Sequence, residues 1–518
     1  MGVPLYQAIS RQSGMSFQAH NLVNRNAIHV LTTPPFLNYS NENPFWFRGM
    51  HFFLVISALI LFVASGASII RAIDRSGAMG LTGAPLAGVS FMTGLGAVSF
   101  QMFLYSLVSI PLNPIFIMLP WLPFIAAVFF RYRTKTADHQ KQRWDAISVA
   151  LLAVIIVQSA YAFIYALSVP LFGWDAWFIW FLKARIFFLD QGISSEFLSN
   201  AGYRHHQDYP LLMPLATAFV YGAAGSANET IGKLLYPLQF LSLLSVIYYA
   251  LSRAAGRRTG LLFAALSTLV PVIMIHAGGV PGKIGPLYAG DFVGYSDLAL
   301  SIYFMGAGAF LYFHAKEGGR PHLLLASLFL AMAAWTKNEG LTFAGFAVAL
   351  FLIYRILFKR EGILKDALLL VLPIAAVVIP WSLYKAGIGI GSEYVENLSL
   401  ATIATNLWKL PIIFKTLGKM VFSHIELYNF CWWAYAISTL ANWRASKALI
   451  TLHLLLFLQL SAYIFIYIIS PAPIDWHLAT SADRLLLHLL PLALLITALN
   501  LVSMAGAGPR VSPGKADA

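Results

Sequence analysis

Apolar runs of membrane-spanning length, separated by short polar loops, set the pattern of this chain. They extend over His51–Ile70, Gly88–Ile110, Leu112–Phe130, Ala146–Ser168, Glu229–Leu251, Thr259–Ala277 and Gly294–His314. Further runs follow at Pro321–Thr336, Gly340–Phe358, Leu364–Lys385, Met420–Leu440, Lys447–Ser470 and Arg484–Met504. Because about 20 apolar residues in a helix cross the hydrocarbon core, the pattern predicts an all-α polytopic membrane protein with about thirteen transmembrane helices. The break Ser109–Pro114, SIPLNP, reads either as a turn between two spans or as a kink, which leaves the count before Arg131 open by one.

The loops between the runs alternate in charge. Arg131–Arg143 (RYRTKTADHQKQR), Arg253–Arg258, Lys316–Arg320, Arg355–Lys365, Arg444–Lys447 and the tail with Arg510 and Lys515 carry the cations. Basic loops stay in the cytoplasm, so these lie inside. Tyr209–Gly225 is also apolar enough to cross, but crossing there would carry Arg253, Arg257 and Arg258 outside. It is therefore expected to be an interfacial helix on the outer surface. The opposite loops, 169–228, 276–293, 337–339, 386–419 and 471–483, then share the outer face and hold most of the scattered carboxylates. By the same parity the N-terminal tail, with Arg11, Arg25 and Arg48, falls outside.

Composition agrees with this pattern. Of 518 residues, 59% are hydrophobic and 11% charged, whereas about a quarter of a soluble protein is charged. A net charge of +13 would point to nucleic acid in a soluble domain. Here the Lys and Arg orient the chain in the bilayer, so lipid is the expected partner and nucleic acid is not. The single cysteine, Cys431, beside Trp432 and Trp433, reads as a structural thiol. The N-terminal stretch lacks a charged start followed by an apolar core and a small-residue cleavage site, so no removable signal peptide is expected.

One wet segment lies between the greasy ones. Pro170–Pro214 reads PLFGWDAWFIWFLKARIFFLDQGISSEFLSNAGYRHHQDYPLLMP, with Asp175 between Trp174 and Trp177, then Lys183 and Arg185, then Arg204, His205, His206, Asp208 and Tyr209. Each ionisable group at mid-membrane costs roughly 2.5 to 3.5 kcal/mol, so the segment must lie on the surface, and the upstream basic loop makes that the outer one. Asp175, just past a span and among aromatics, suits a general base. Equally, it suits an N-cap for the helix that begins near Ala176. Ala176–Leu189 reads as an interfacial amphipathic helix on which Lys183 and Arg185, two apart, face different directions, so at most one joins Asp175.

Other outer groups stand as candidates with plain alternatives. His205 and His206 are adjacent and have no helical partner four residues away, so no metal is expected, and the turn His206–Asp208–Tyr209 reads as facing a substrate. Lys337 and Glu339 in AWTKNEGL are either a local ion pair at a tight turn or part of a site. Arg484, opening the last span after WHLATSAD, either snorkels or holds a phosphate oxygen bidentately. The spans show no buried chain of acids and no matched polar motif in two halves, and no Gly-rich phosphate loop faces the cytoplasm, which argues against ion-coupled transport and ATP-driven chemistry.

The order WDAWFIWFLKARIFF, HQDYPLLMP, GYSDLAL (Gly294–Leu300), WTKNEGL (Trp335–Leu341) and TSADRLLLHLLP (Thr480–Pro491) resembles the bacterial GT-C membrane glycosyltransferases. These are related to the protein O-mannosyltransferases and to the transferases that add aminoarabinose or galacturonic acid to lipid A. The likeness spans about Ala146 to Met504. It implies a GT-C-like catalytic core over 146–505 with outer loop 169–228, an added N-terminal region over 1–145 with a tail and three helices, and a cytoplasmic tail over 506–518. Asp175 matches the family's catalytic Asp, and Tyr209 with Pro210 matches the element that closes its first outer loop. Where many members have Glu after that Asp, Ala176 stands here.

The resemblance implies a bacterial inner-membrane enzyme. It would move a sugar from a polyprenyl phosphate to an acceptor hydroxyl on a glycan, glycolipid or protein at the outer face, with inversion and without a cofactor. Asp175 would take the acceptor proton. Arg484 and Lys337, backed by Lys283 and Lys385, would stabilise the departing phosphate. Trp174, Lys183, Arg185, His206, Asp208, Tyr209, Asp291, Glu339 and His477 complete the expected substrate-binding set. The alternative is a lipid-linked sugar flippase or another polytopic transporter.

Overall fold

The computed structural model describes residues 45–131, 144–200, 202, 206–280, 292–358 and 361–506, and every regular element among them is helical. In chain order the principal helices begin with α1 (Phe45–Ile73), α2 (Gly83–Leu107), α3 (Pro114–Arg131) and α4 (Ala146–Ser168). Next come α5 (Leu182–Leu189), α6 (Leu212–Ala224), α7 (Glu229–Ala255), α8 (Arg257–Thr268), α9 (Pro271–Gly278) and α10 (Asp297–Glu317). The series ends with α11 (Arg320–Thr336), α12 (Asn338–Phe358), α13 (Ile363–Gly387), α14 (Leu410–Ser423), α15 (Cys431–Ala441), α16 (Ile450–Ile469) and α17 (Ile474–Met504). Of two compact units, Met1–Phe52 enters the described residues only as the start of α1, and Phe53–Ala518 holds the rest.

Ten of these helices, α1–α4, α7, α10, α12, α13, α16 and α17, are long and apolar enough to cross a membrane, in place of about thirteen expected. The other runs are built differently. Thr259–Ala277 breaks ahead of Pro271 into α8 and α9, which meet at 72°. Pro321–Thr336 becomes α11, only 17 residues long. It nonetheless returns along α10, because Lys337 at its end reaches Asp297 at the start of α10. Met420–Leu440 is interrupted between α14 and α15, where Asn429 takes φ 50°. Tyr428 donates to the Asp483 carbonyl at 2.9 Å and Asn442 to that of Asn500 at 3.0 Å, so the broken stretch runs beside α17. Mean apolarity is blind to such breaks.

The helix expected at the interface is also corrected. α6 has 13 residues, too few to cross, yet it buries every residue from Leu212 to Tyr221. Phe219 packs edge-on to Phe62 of α1 with centroids 5.6 Å apart, and Met213 meets Gln239 of α7. A surface helix would keep one wet face. This one is enclosed by protein, including α1 and α2, so the N-terminal helices are part of its shelter.

Burial sorts the spans. α2, α7, α10 and α17 are at least 72% buried over their apolar windows, while α3, α4, α12 and α13 reach no more than 22%. The first group forms the core and the second turns its apolar surface outward, as lipid requires. α1 and α2 cross closely through glycine. A Cβ on Gly94 would stand 1.8 Å from the Phe62 carbonyl oxygen, and one on Gly66 1.9 Å from that of Ser90.

Loops expected on the inner side meet one another. Arg253 reaches Glu317 at 2.6 Å and the Met79 carbonyl at 2.7 Å, and Arg258 reaches Asp145 at 2.8 Å. These charges gather at one end of the bundle, and those expected outside gather at the other.

Candidate functional site

At that other end, Asp175 does not cap a helix. Its backbone is already helical (φ −65°, ψ −33°) and its side chain makes no cap bond. The carboxylate instead accepts from the Arg484 guanidinium of α17, and its backbone N–H donates to the Tyr295 hydroxyl at 3.3 Å. The six residues after it, Ala176–Phe181, form a wide π turn. This turn sends Ile179, Trp180, Phe181 and Lys183 inward and leaves Trp177 and Trp174 half exposed. Trp174 lies over Phe178 at 4.2 Å.

Arg484 stands ten residues into α17, roughly 15 Å from its start. It is 12% exposed, donates to the Thr480 carbonyl at 2.6 and 3.1 Å, and lies 5.1 Å over the Tyr295 ring. Its Nη1 is also 4.0 Å from Oδ2 of Asp297. Asp297, fully buried in the first turn of α10, is the hub of the cluster. Its Oδ1 accepts from Lys337 at 2.9 Å and from His488 Nε2 at 2.8 Å. An ionised Asp297 makes that His488 nitrogen the donor, so Nδ1 of a neutral ring accepts from the Tyr463 hydroxyl at 2.9 Å. Lys337 also pairs with Glu339 at 3.1 Å. The local pair that the sequence allowed is present, but it belongs to a larger network.

A second polar patch joins the first through Lys337, whose ammonium lies 5.7 Å from the Tyr209 ring. Tyr209 is stacked on Trp180 at 5.7 Å and on His206 at 4.8 Å. Burial pushes its phenol well above the usual range. Asp208 accepts from Asn338 at 2.7 Å through its side chain and from Lys385 at 3.4 Å through its carbonyl. Lys183, fully buried, donates to the His206 carbonyl at 2.8 Å, and burial pulls its ammonium down to about 7 despite nearby Asp208.

Of the residues singled out from sequence, Asp175, Arg484, Lys337 and Glu339 converge directly. Lys183, His206, Asp208, Tyr209 and Lys385 converge through the adjoining patch. His477, two turns before Arg484 on α17, packs edge-on to Tyr467 at 4.7 Å. Arg185 does not join. Its electrostatic neighbours are Glu229 and Tyr221, on the far side of α5 from Lys183, as their two-residue spacing requires. Lys283 and Asp291 lie outside the described residues.

Sequence reasoning missed Asp297, His488, Tyr295 and Tyr463. GYSDLAL and TSADRLLLHLLP contain three of the four, and a charge in the first turn of an apolar span was a usable signal. His488, one turn after Arg484, shares its face. The spans as read from sequence contain one buried acid, Asp297, while two more stand in stretches read as outer loops. Asp297, Asp483 and Glu339 are largely or wholly enclosed among helices, because a few charges in long apolar runs barely lower mean hydropathy. Among the described residues, no group of three His, Cys, Asp or Glu side chains is placed to hold a metal ion. Comparison of the chain with known protein families, with curated proteins and with solved structures finds no match.

Proposed function

We propose that this multi-pass membrane protein is a glycosyltransferase that moves a sugar from a polyprenyl phosphate to an acceptor hydroxyl at the outer end of the bundle, in a bacterial inner membrane. The observation that carries the reading is the pair Asp175–Arg484, a partly exposed carboxylate on a buried cation where the outer segment meets the last span. The order of the polar motifs, which resembles that of the GT-C enzymes, supports it. In this reaction the acceptor oxygen attacks the anomeric carbon and Asp175 takes its proton. The anomeric C–O bond to phosphate breaks, and the polyprenyl phosphate leaves with the electron pair. Its growing negative charge is met by Arg484 and Lys337, which stabilise the transition state more than the ground state.

The ion pair also couples the two roles. While Arg484 rests on Asp175, the carboxylate is masked and the cation is occupied. An incoming phosphate competes for Arg484, and its binding frees Asp175 to act as base. Purified protein, labelled polyprenyl phosphate sugar and candidate acceptors test the reading. Asp175→Asn is expected to abolish glycosidic bond formation, a loss of at least about a hundredfold, while donor binding persists. Unchanged turnover would remove Asp175 from the chemistry.

A second reading rests on the buried chain Glu339–Lys337–Asp297–His488–Tyr463, the kind of titratable series found in proton-coupled transporters. A transporter would move lipid-linked sugar across vesicles with Asp175 replaced and would release no free polyprenyl phosphate. The transferase does the reverse on both counts.

A further inference from the structure

His276, near the end of α9, is fully buried, and among the described residues neither ring nitrogen has a hydrogen-bond partner. Buried polar groups without partners are rare, because each forfeits its hydration with nothing in return. The ring is held in place nevertheless. Its face lies on Phe292 with centroids 4.9 Å apart and planes 2° apart, and it meets Tyr295 edge-on at 6.1 Å. Phe292 takes φ 68°, a left-handed conformation that is costly for a bulky side chain and persists where surrounding structure enforces it. One face of the ring is thus covered by Phe292, and both nitrogens lie buried without a partner among the described residues.

The imidazole lies one aromatic ring from the proposed reaction centre. Tyr295, which His276 touches, carries Arg484 over its ring at 5.1 Å and accepts the backbone N–H of Asp175. Asp297, Arg484, His488 and Lys337 all act electrostatically on the imidazole. A neutral imidazole always presents one N–H donor. Near two cations, the ligand group that supplies the matching acceptor is an anion with several oxygens.

We infer that His276 is a ligand of the departing phosphate, donating an N–H to one of its oxygens beside Arg484. The inference rests on the transferase reading above and adds a neutral donor to the cations, so that the phosphate is held by geometry as well as by charge. No atom of His276 changes protonation in this role.

The test follows the thermal midpoint of the full-length protein in detergent during titration with polyprenyl phosphate and, separately, inorganic phosphate. His276→Phe removes both unpaired nitrogens while keeping a ring on Phe292, and is expected to be at least as stable as the parent without ligand. Its affinity for polyprenyl phosphate is expected to fall about ten- to a hundredfold. His276→Gln, which restores an N–H donor, is expected to recover part of it. Equal affinity in the parent and in His276→Phe overturns the inference alone. If His276→Phe does not fold, His276→Leu takes its place: a similar loss of affinity that His276→Gln partly recovers supports the inference, and parent-like affinity in His276→Leu overturns it. A parent protein stabilised by inorganic phosphate but not by the lipid overturns the polyprenyl donor and the inference drawn from it. Stabilisation by neither ligand overturns both readings.

Discussion

Asp297 shows what one buried charge does in this bundle. Two cations and an imidazole converge on it, so removing the carboxylate leaves Lys337 with Glu339 alone and Arg484 with Asp175 alone. Asp297→Ala is expected to lower unfolding stability by roughly 1 to 3 kcal/mol, read from thermal unfolding in detergent, because Lys337 and His488 each lose a buried hydrogen-bond acceptor. Lys183 makes a pH prediction. Its folded-state pKa of about 7 lies below its ordinary 10.5, so between these values the unfolded chain binds the extra proton. Stability therefore rises with pH across that window, by at most about 1.4 kcal/mol per unit, and is lost again as pH falls toward 7. Lys183→Met is expected to flatten that slope, and an unchanged slope in the variant would assign the rise to other groups. Asp175, Arg484 and Lys337 were legible as candidates because polar residues are conspicuous beside apolar runs. Asp297 was harder to weigh, since nothing in GYSDLAL tells which charges from elsewhere will reach it.

Among the elements, glycine contacts decide how closely helices approach. Gly94→Ala would drive a methyl into the Phe62 carbonyl and is expected to cost about 1 to 3 kcal/mol by forcing α1 from α2. Gly345→Ala on lipid-facing α12 meets nothing within 4 Å and is expected to be neutral or stabilising by up to about 1 kcal/mol. Equal effects of the two would argue against the close crossing. Helices with strong apolar runs were legible in the sequence almost residue for residue, as α4 illustrates at Ala146–Ser168. α6 was found as a helix but misplaced, because an apolar stretch reads alike whether lipid or protein surrounds it. The breaks at Pro271 and Asn429 were lost for a related reason. A window average keeps its value across a bend.

For the whole molecule, sidedness is the exposed claim. Trp174→Cys in a Cys431→Ser background is expected to react with a membrane-impermeant thiol reagent added from outside, and Lys365→Cys only after permeabilisation. Labelling in the opposite sense would place the Asp175 end in the cytoplasm and end the transfer proposal. The structure adds a constraint that charge counting lacked. Arg253 with Glu317 and Arg258 with Asp145 tie together loops assigned to one side, while Asp175, Asp297, Lys337 and Arg484 tie together segments assigned to the other. The sequence by itself determined that the chain is built of apolar helices joined by short charged loops, since hydropathy and loop charge are properties of each segment taken alone. Only the tertiary structure decided that Asp175 meets a guanidinium 309 residues away, that Asp297 anchors the cluster, and that α6 is buried. Those outcomes depend on which helix faces pack together, a property of pairs of segments that no single stretch of chain encodes.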